Sequence, residues 1–391
     1  LGDGTTSPVL RALSYLILLN ALSLIPLSLL RKELQFGPIG MAQIVSQLVY
    51  GVVAIAFAYW GYGFWSIVYA NLLNTLTSTI LYWVKCPGSD WWRPKLWDWN
   101  IVHSLFRYGM KTTANGMISY LHMHIDDWFV GRVLGSQPLG FYSQAYGFSN
   151  STIANLGKNV IANVFFPSYA KIQNDKERLS RAYLKSVNLV LLIMTPMALG
   201  LLVASPEIVS VILGNKWLPM IPTLQVFGLL ILTGPVSENA APLFQAVGLP
   251  GYNVRAGIVL ISVMAPLMFL LLSWGISGIA TAVVVAHTVA VSYNIYQMNT
   301  ILPGTARKTF VIALPILLAG LLMLGGVYWV KPYVLHLTSG QENLWSLLTM
   351  IGVGGIIYGS VSLFTQRALM REVSNIVLSA LLLKRRAQQA A

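Results

Sequence analysis

The run LKSVNLVLLIMTPMALGLLVAS at residues 184–205 sets the class of this chain. Beyond Lys185 it carries no charge, and about 20 such residues at roughly 1.5 Å rise each are what a hydrocarbon slab about 30 Å thick demands of a crossing helix. Comparable runs recur from end to end. They predict about eleven spans, at 10–30, 39–60, 62–84, 104–131, 139–168, 184–205, 221–247, 252–274, 276–301, 309–331 and 345–366. Pro38, Gly61 with Gly63, Pro138, Pro250 with Gly251, Gly275 with Gly278, and Pro303 with Gly304 fall at the junctions, where turn-formers belong.

Composition agrees. Of 391 residues, 56% are hydrophobic and only 9% charged, whereas a soluble domain carries roughly 25% charged residues. A water-soluble, single-pass or monotopic protein is excluded, and the loops between spans are too short to fold a second domain. The net charge of +13 does not mark a nucleic-acid binder, because the basic residues sit in loops, mostly on one side. That side holds Arg31 and Lys32; Lys85, Arg93, Lys95, Arg107 and Lys111; Lys171, Lys176, Arg178, Arg181 and Lys185; Arg255; Arg307 and Lys308; and Arg367, Arg371, Lys384, Arg385 and Arg386. The other side holds Arg11, Arg132, Lys216 and Lys331, and Lys158 falls within a span. The positive-inside rule makes the first set, and the C-terminus, cytoplasmic. An odd number of spans then puts Leu1 outside, which predicts that an N-terminal piece with an odd number of helices precedes this chain. Residues 85–103, 169–183 and the tail after Thr365 are the longest expected cytoplasmic segments, with Val373–Lys384 amphipathic enough to lie on the inner leaflet. Trp91, Trp92, Trp97 and Trp99 suit interfacial anchoring. A single cysteine, Cys86, excludes an internal disulfide and a cysteine metal site.

Ionisable and amide groups at bilayer depth need a partner, a cavity or a function. On the span 104–131, counted at about 100° per residue, Arg107, Lys111, Asn115, Ser119, His122 and Asp126 project within roughly a third of the circumference. On the next span Gln144, Ser151, Asn155 and Lys158 fall within about 60° of one another. Two polar stripes on adjacent helices must face other helices or water, and can line one cavity. Snorkelling of Arg107 and Lys111, an ion pair of Lys158 with Asp126 or Asp127, and a helix–helix hydrogen bond from His122 are the structural alternatives. His124 lies opposite His122. Glu238, beside Asn239 and between Pro235 and Pro242, sits where a helix should break and free carbonyls to help hold a cation. His287 and Asn294 read as packing glue.

The order of FRYG at 106–109, IDDWFVGRVLG at 125–135, PLGFYSQAY at 138–146, VFFPSYAKIQNDKERLSRAYLK at 164–185 and PEIVSVILGNKWLPMIPTLQVF at 206–227, with RKELQF at 31–36 upstream, resembles the polysaccharide transport family of lipid-linked oligosaccharide flippases, the Wzx or colanic-acid exporter type of the multidrug/oligosaccharidyl-lipid/polysaccharide superfamily. The resemblance implies an all-α, MATE-like bundle of two six-helix lobes plus two further helices. Residues 1–100 would be the second half of the N-terminal lobe, 101–303 the C-terminal lobe and 304–391 the extra pair, with the first three of about 14 helices lying upstream. It also implies that an undecaprenyl-diphosphate-linked oligosaccharide moves from the cytoplasmic to the periplasmic leaflet of the bacterial inner membrane by alternating access, with sodium or proton coupling as an option, no other cofactor, and a polymerase and export machinery as neighbours. Lys158, Arg107 and Lys111 would meet the diphosphate, Asn155, Ser151, Gln144, Asn115 and His122 the sugars, and Asp126 and Glu238 a coupling cation. Asp126 matches the family's aspartate before its glycine–arginine pair, while Asp127 stands where asparagine is more usual.

A small-molecule exporter of the same superfamily predicts an acidic cavity, against which Lys158, Arg107 and Lys111 stand. A membrane enzyme of glycan assembly predicts a sizeable outer loop with catalytic groups, and the outer loops here are short. No Gly-rich phosphate loop precedes a helix, and neither a metal cluster nor a nucleophile–base pair is present in the sequence. A purely structural membrane protein explains the helices but not two aligned polar faces.

Overall fold

In hydrocarbon every backbone N–H and C=O must be satisfied within its own segment, so long apolar runs become helices. The computed structural model is helical, with no strand among its described residues. It describes residues 6–33, 35–86, 124–154, 172–249, 251–337 and 343–366, together with the single positions 99, 103, 106, 109, 110, 113, 120 and 169. Seven of the described helices are long and apolar enough to cross a membrane, and a bent pair adds an eighth. This is a multi-pass membrane protein. Side chains such as Ile55 at 73% exposure and Phe364 at 74% are the lipid-facing counterpart of a core that hydrocarbon does not force together.

The chain divides into two units, Leu1–Tyr108 and Gly109–Ala391. The first contains α1 (Thr6–Lys32), α2 (Phe36–Tyr59) and α3 (Trp65–Lys85). Gly61 and Gly63, at φ 83° and 55°, make the tight turn from α2 to α3 that a residue with a Cβ would strain. Around that turn Phe57 lies 5.5 Å from Trp60 and 5.1 Å from Tyr62, ring centre to ring centre, an amphipathic cluster of the kind that settles at a membrane surface. α3 is stitched to both neighbours: Thr79 Oγ1 donates to Leu19 O at 3.3 Å and Trp83 Nε1 to Leu22 O at 3.0 Å, while Asn74 Nδ2 donates to Ser46 O at 3.0 Å.

In the second unit a helical stretch at 124–133 leads into α4 (Ser136–Tyr146), which continues as the π-helical segment Gly147–Ala154. Then come α5 (Lys176–Ile208), α6 (Ile221–Ile231), α7 (Gly234–Ala246), α8 (Gly251–Leu270), α9 (Gly275–Ile301), α10 (Thr305–Leu337) and α11 (Leu344–Thr365). Two buried clusters fill it. One is built on Phe129, Tyr142, Met194, Phe227 and Ile279, the other on Tyr183, Leu191, Phe244, Met298 and Met350. Glycines set the closest approaches, as expected where lipid gives apolar faces no reason to associate and packing must do so. A Cβ on Gly228 of α6 would stand 3.0 Å from Ala198 O of α5, and one on Gly320 of α10 would stand 2.6 Å from Thr195 Cγ2 of α5. Between α5, α10 and α11 lies an apolar cavity of about 350 Å³, lined by Gly200, Val203, Met323, Val327, Met350 and Gly354 among others.

Every expected span outside 104–168 is met by a helix, and within the spans expected at 104–131 and 139–168 the described parts are helical too. Two boundaries differ from expectation. The expected cytoplasmic loop at 169–183 is partly helix: α5 starts at Lys176, its N-terminus capped by the Asp175 side chain, which accepts from Arg178 N at 3.0 Å, and it buries Leu179 and Tyr183 on one face. Charge hid this amphipathic turn from a reading based on apolar runs. The span expected at 221–247 is α6 and α7, bent by 46° at a break, in keeping with the broken helix expected around Glu238. The span expected to end at Lys331 runs on in α10 to Leu337. The tail after Gln366, with Val373–Lys384, and Trp91, Trp92 and Trp97 lie outside the described residues.

Candidate functional site

Asp126 is 6% exposed, on the helical stretch that packs beside α4. Tyr142, fully buried, donates its hydroxyl to Asp126 Oδ2 at 2.8 Å. The next carboxylate behaves differently, as a step of about 100° around a helix requires. Asp127 faces outward, with Ser143 Oγ donating to its Oδ1 at 3.1 Å and His124 Nδ1 lying 3.1 Å from its Oδ2. One face of α4 thus receives both aspartates through adjacent hydroxyls.

The same helix carries the aromatic wedge that holds it on α6. Tyr142 and Tyr146 both set their rings edge-on to Phe227, at 5.2 and 5.3 Å. Ser149 Oγ donates to Phe227 O at 2.9 Å, and Asn150 Nδ2 donates to the Tyr146 hydroxyl at 2.8 Å. Glu238 is half-buried on α7, just past the break, next to the fully buried Asn239. Asn239 is locked: its Nδ2 donates to Pro235 O at 2.7 Å and its Oδ1 accepts from Tyr169, which also bonds Ser186.

Of the expected substrate-binding residues, Gln144 is half-buried on α4. It stands about 200° around the helix from Tyr142 and so off the face that receives Asp126. Ser151 falls in the π-helical segment, where i→i+5 bonding turns each residue through less than 100°, so an α-helical count from Gln144 does not carry to it. Arg107, Lys111, Asn115, His122, Asn155 and Lys158 lie outside the described residues. Among the described residues no group of three or more His, Cys, Asp or Glu side chains gathers to hold a metal ion.

Residues 1–222, more than half the chain, match the model of a family described as polysaccharide biosynthesis protein. The chain belongs to that family. Within it, the lipopolysaccharide biosynthesis protein WzxC of Escherichia coli is 30% identical over 56% of this chain and 44% of its own length. This chain spans about half the length of such curated relatives. The probable low-salt glycan biosynthesis flippase Agl15 of Haloferax volcanii is 21% identical over 90% of this chain and 73% of its own. Among solved structures, the lipid II flippase MurJ in an inward closed conformation superposes over 93% of this chain and 75% of its own, with a TM-score of 0.69 at 17% identity. The polysaccharide-family chain thus shares MurJ's fold.

One charged site in this family member escaped the sequence reading. Glu207, fully buried near the end of α5, meets Lys331 of α10, whose Nζ lies 2.9 Å from Oε1 and 3.2 Å from Oε2 and also donates to Val203 O at 3.2 Å. An expected span ending at Ser205 left Glu207 in a loop. The signal was there: the apolar pattern runs on through Ile208 and Val209, and a lone acid and a lone base stand at matching ends of two spans.

Proposed function

We propose that the protein carries undecaprenyl-diphosphate-linked oligosaccharide repeat units across the bacterial inner membrane by alternating access, for exopolysaccharide, capsule or O-antigen synthesis. The observation that supports this most is the extent of the likeness: 90% of the chain aligns with a protein named as a glycan flippase and 93% superposes on the fold of a lipid-carrier flippase. The relatives carry the names of flippases and biosynthesis proteins.

In this reading the units 1–100, 101–303 and 304–391 are half of the N-terminal lobe, the C-terminal lobe and an added helix pair, with the C-terminus cytoplasmic. Lys158, Arg107 and Lys111 hold the diphosphate, since an anion in a low-dielectric cavity requires cations. Gln144, Ser151, Asn155, Asn115 and His122 meet sugar hydroxyls. Asp126 and Glu238 serve a coupling cation. The cavity between α5, α10 and α11 has the purely apolar lining that an isoprenoid chain requires. A polymerase and export machinery are the expected partners on the far side. The test is deletion of the gene in its own host: lipid-linked repeat units should accumulate on the cytoplasmic face and be cleared on restoring the intact coding sequence, and an unchanged pool would contradict the proposal.

A further inference from the structure

Between Glu33 and Lys85 the chain has no Asp, Glu, Lys, Arg or His, yet α3 falls outside the helices apolar enough to cross a membrane. Its polarity comes from amides and hydroxyls, and their placement is ordered. Val68 and Thr79, both buried, lie within about 20° of each other on the side where Thr79 meets α1, and Ala70 with Asn74 lie near 200–240° on the side where Asn74 meets α2. One of the two remaining arcs is apolar and exposed: Leu73, Leu76 and Ile80, at 37%, 38% and 52%. The other carries Asn71 and Ser78, which donate to Ile67 O at 2.9 Å and Thr75 O at 3.0 Å, with the exposed Ile67 side chain beside them.

The same division holds on α2. Ala42 and Ser46 are buried against α3, and Ile44, Leu48, Val52 and Ile55 form an exposed apolar arc at 66%, 65%, 68% and 73%. The opposite flank carries Gln43, Gln47 and Tyr50, the glutamines exposed and the tyrosine half-exposed. α2 and α3 run antiparallel through a short turn, so equal-sense rotation away from their contact leads to the same side of the pair. Gln43, Gln47, Tyr50, Asn71 and Ser78 therefore share one surface, with Asn74 at the helix contact beside it, and the exposed apolar side chains share the other. Among the described residues, the side chains of Gln43, Gln47 and Tyr50 have no hydrogen-bond partner.

We infer that this uncharged face binds the saccharide portion of the translocated substrate. A polar helix face in a bilayer must look onto water, ligand or other helices. A diphosphate would call for cations, and a cationic drug for carboxylates or aromatic cages; neither kind of charge is present. Amides and hydroxyls that both donate and accept, with one phenol ring beside them, suit a neutral polyhydroxylated ligand. This rests on the function proposed above and adds to it a sugar-reading surface on α2 and α3, made of residues other than those assigned to the diphosphate.

The test uses the intact protein in proteoliposomes of bacterial phospholipid, comparing translocation of undecaprenyl-diphosphate-linked repeat units from the host with undecaprenyl diphosphate bearing one sugar. For Gln47→Leu and Asn71→Leu the loss of kcat/KM should be at least fivefold larger for the repeat unit than for the one-sugar lipid, with membrane abundance and Tm held. Equal losses on both lipids, no loss, or a loss that tracks a fall in Tm would overturn the inference, the last by showing that these groups only pack helices. If the wild type moves neither lipid, the transport reading fails, and the face is judged separately. Asn71→Cys in a Cys86→Ser background should be protected from maleimide at least threefold by free repeat-unit oligosaccharide, and lack of protection overturns the inference in that case too.

Discussion

Asp126 and Glu207 are both carboxylates inside a bilayer, and they are held by different means. Asp126 accepts a hydrogen bond from the neutral hydroxyl of Tyr142. Glu207 is matched by a full charge from Lys331. If Asp126 serves coupling, Asp126→Asn, which keeps volume and removes charge, should abolish the dependence of transport on a sodium or proton gradient while leaving the protein inserted. Gradient-driven uptake by that variant at the wild-type level would end the assignment. Asp127→Asn should be milder, because that carboxylate is turned outward to His124 and Ser143. The Glu207–Lys331 pair predicts the reverse pattern: a stability effect. Lys331→Met strands a fully buried carboxylate and should destabilise by about 3–5 kcal/mol, whereas the double change to Glu207→Leu with Lys331→Met should recover most of that, because replacing both partners removes the desolvation cost together with the attraction. Thermal unfolding of purified single and double variants, read as a mutant cycle, checks the order.

The elements hold one another through small residues as much as through apolar bulk. Gly320→Leu should force α10 off α5, since Thr195 and Leu199 already occupy the space a Cβ would need, at a cost of about 1–3 kcal/mol, visible as a lowered Tm. Substitution at Gly325, where nothing lies within 4 Å of an added Cβ, should be close to neutral and serves as the control. This level of the structure was only partly legible in the sequence. Apolar runs of bilayer length marked nearly every helix, because lipid imposes one length and one backbone solution. The bend between α6 and α7 was foreseeable from Gly234, Pro235 and Pro242. The first turns of α5 were not, because the charged amphipathic stretch KERLSRAY at 176–183 reads as loop when only hydropathy is counted. Nor was the Glu207–Lys331 pairing, a contact across 124 positions that no local pattern encodes. The sugar-facing surface inferred on α2 and α3 was passed over for a related reason. Attention to ionisable groups favours the second unit, and amides at helical spacing become informative only once the packed faces are known.

For the whole molecule, the asymmetry of basic residues predicts an orientation that the helix order alone does not supply. Single cysteines placed near Lys176 and Lys384 should be shielded from impermeant maleimide in intact cells, and one near Asn215 should react; labelling in the opposite sense would invert the proposed topology. The chain belongs to a family described as polysaccharide biosynthesis protein, and what would distinguish a flippase in such a family is vectorial movement of an intact lipid-linked glycan. The most direct measurement is therefore made on the intact protein reconstituted into sealed vesicles containing fluorescently tagged undecaprenyl-diphosphate-linked repeat units in both leaflets, with access of an external lectin or glycosidase followed over time. The proposed function predicts that the protected inner half of the lipid becomes accessible with protein and stays protected in empty vesicles, the glycan remaining joined to its lipid throughout. Protection that persists in the presence of folded protein, or release of the glycan from its carrier, would contradict it.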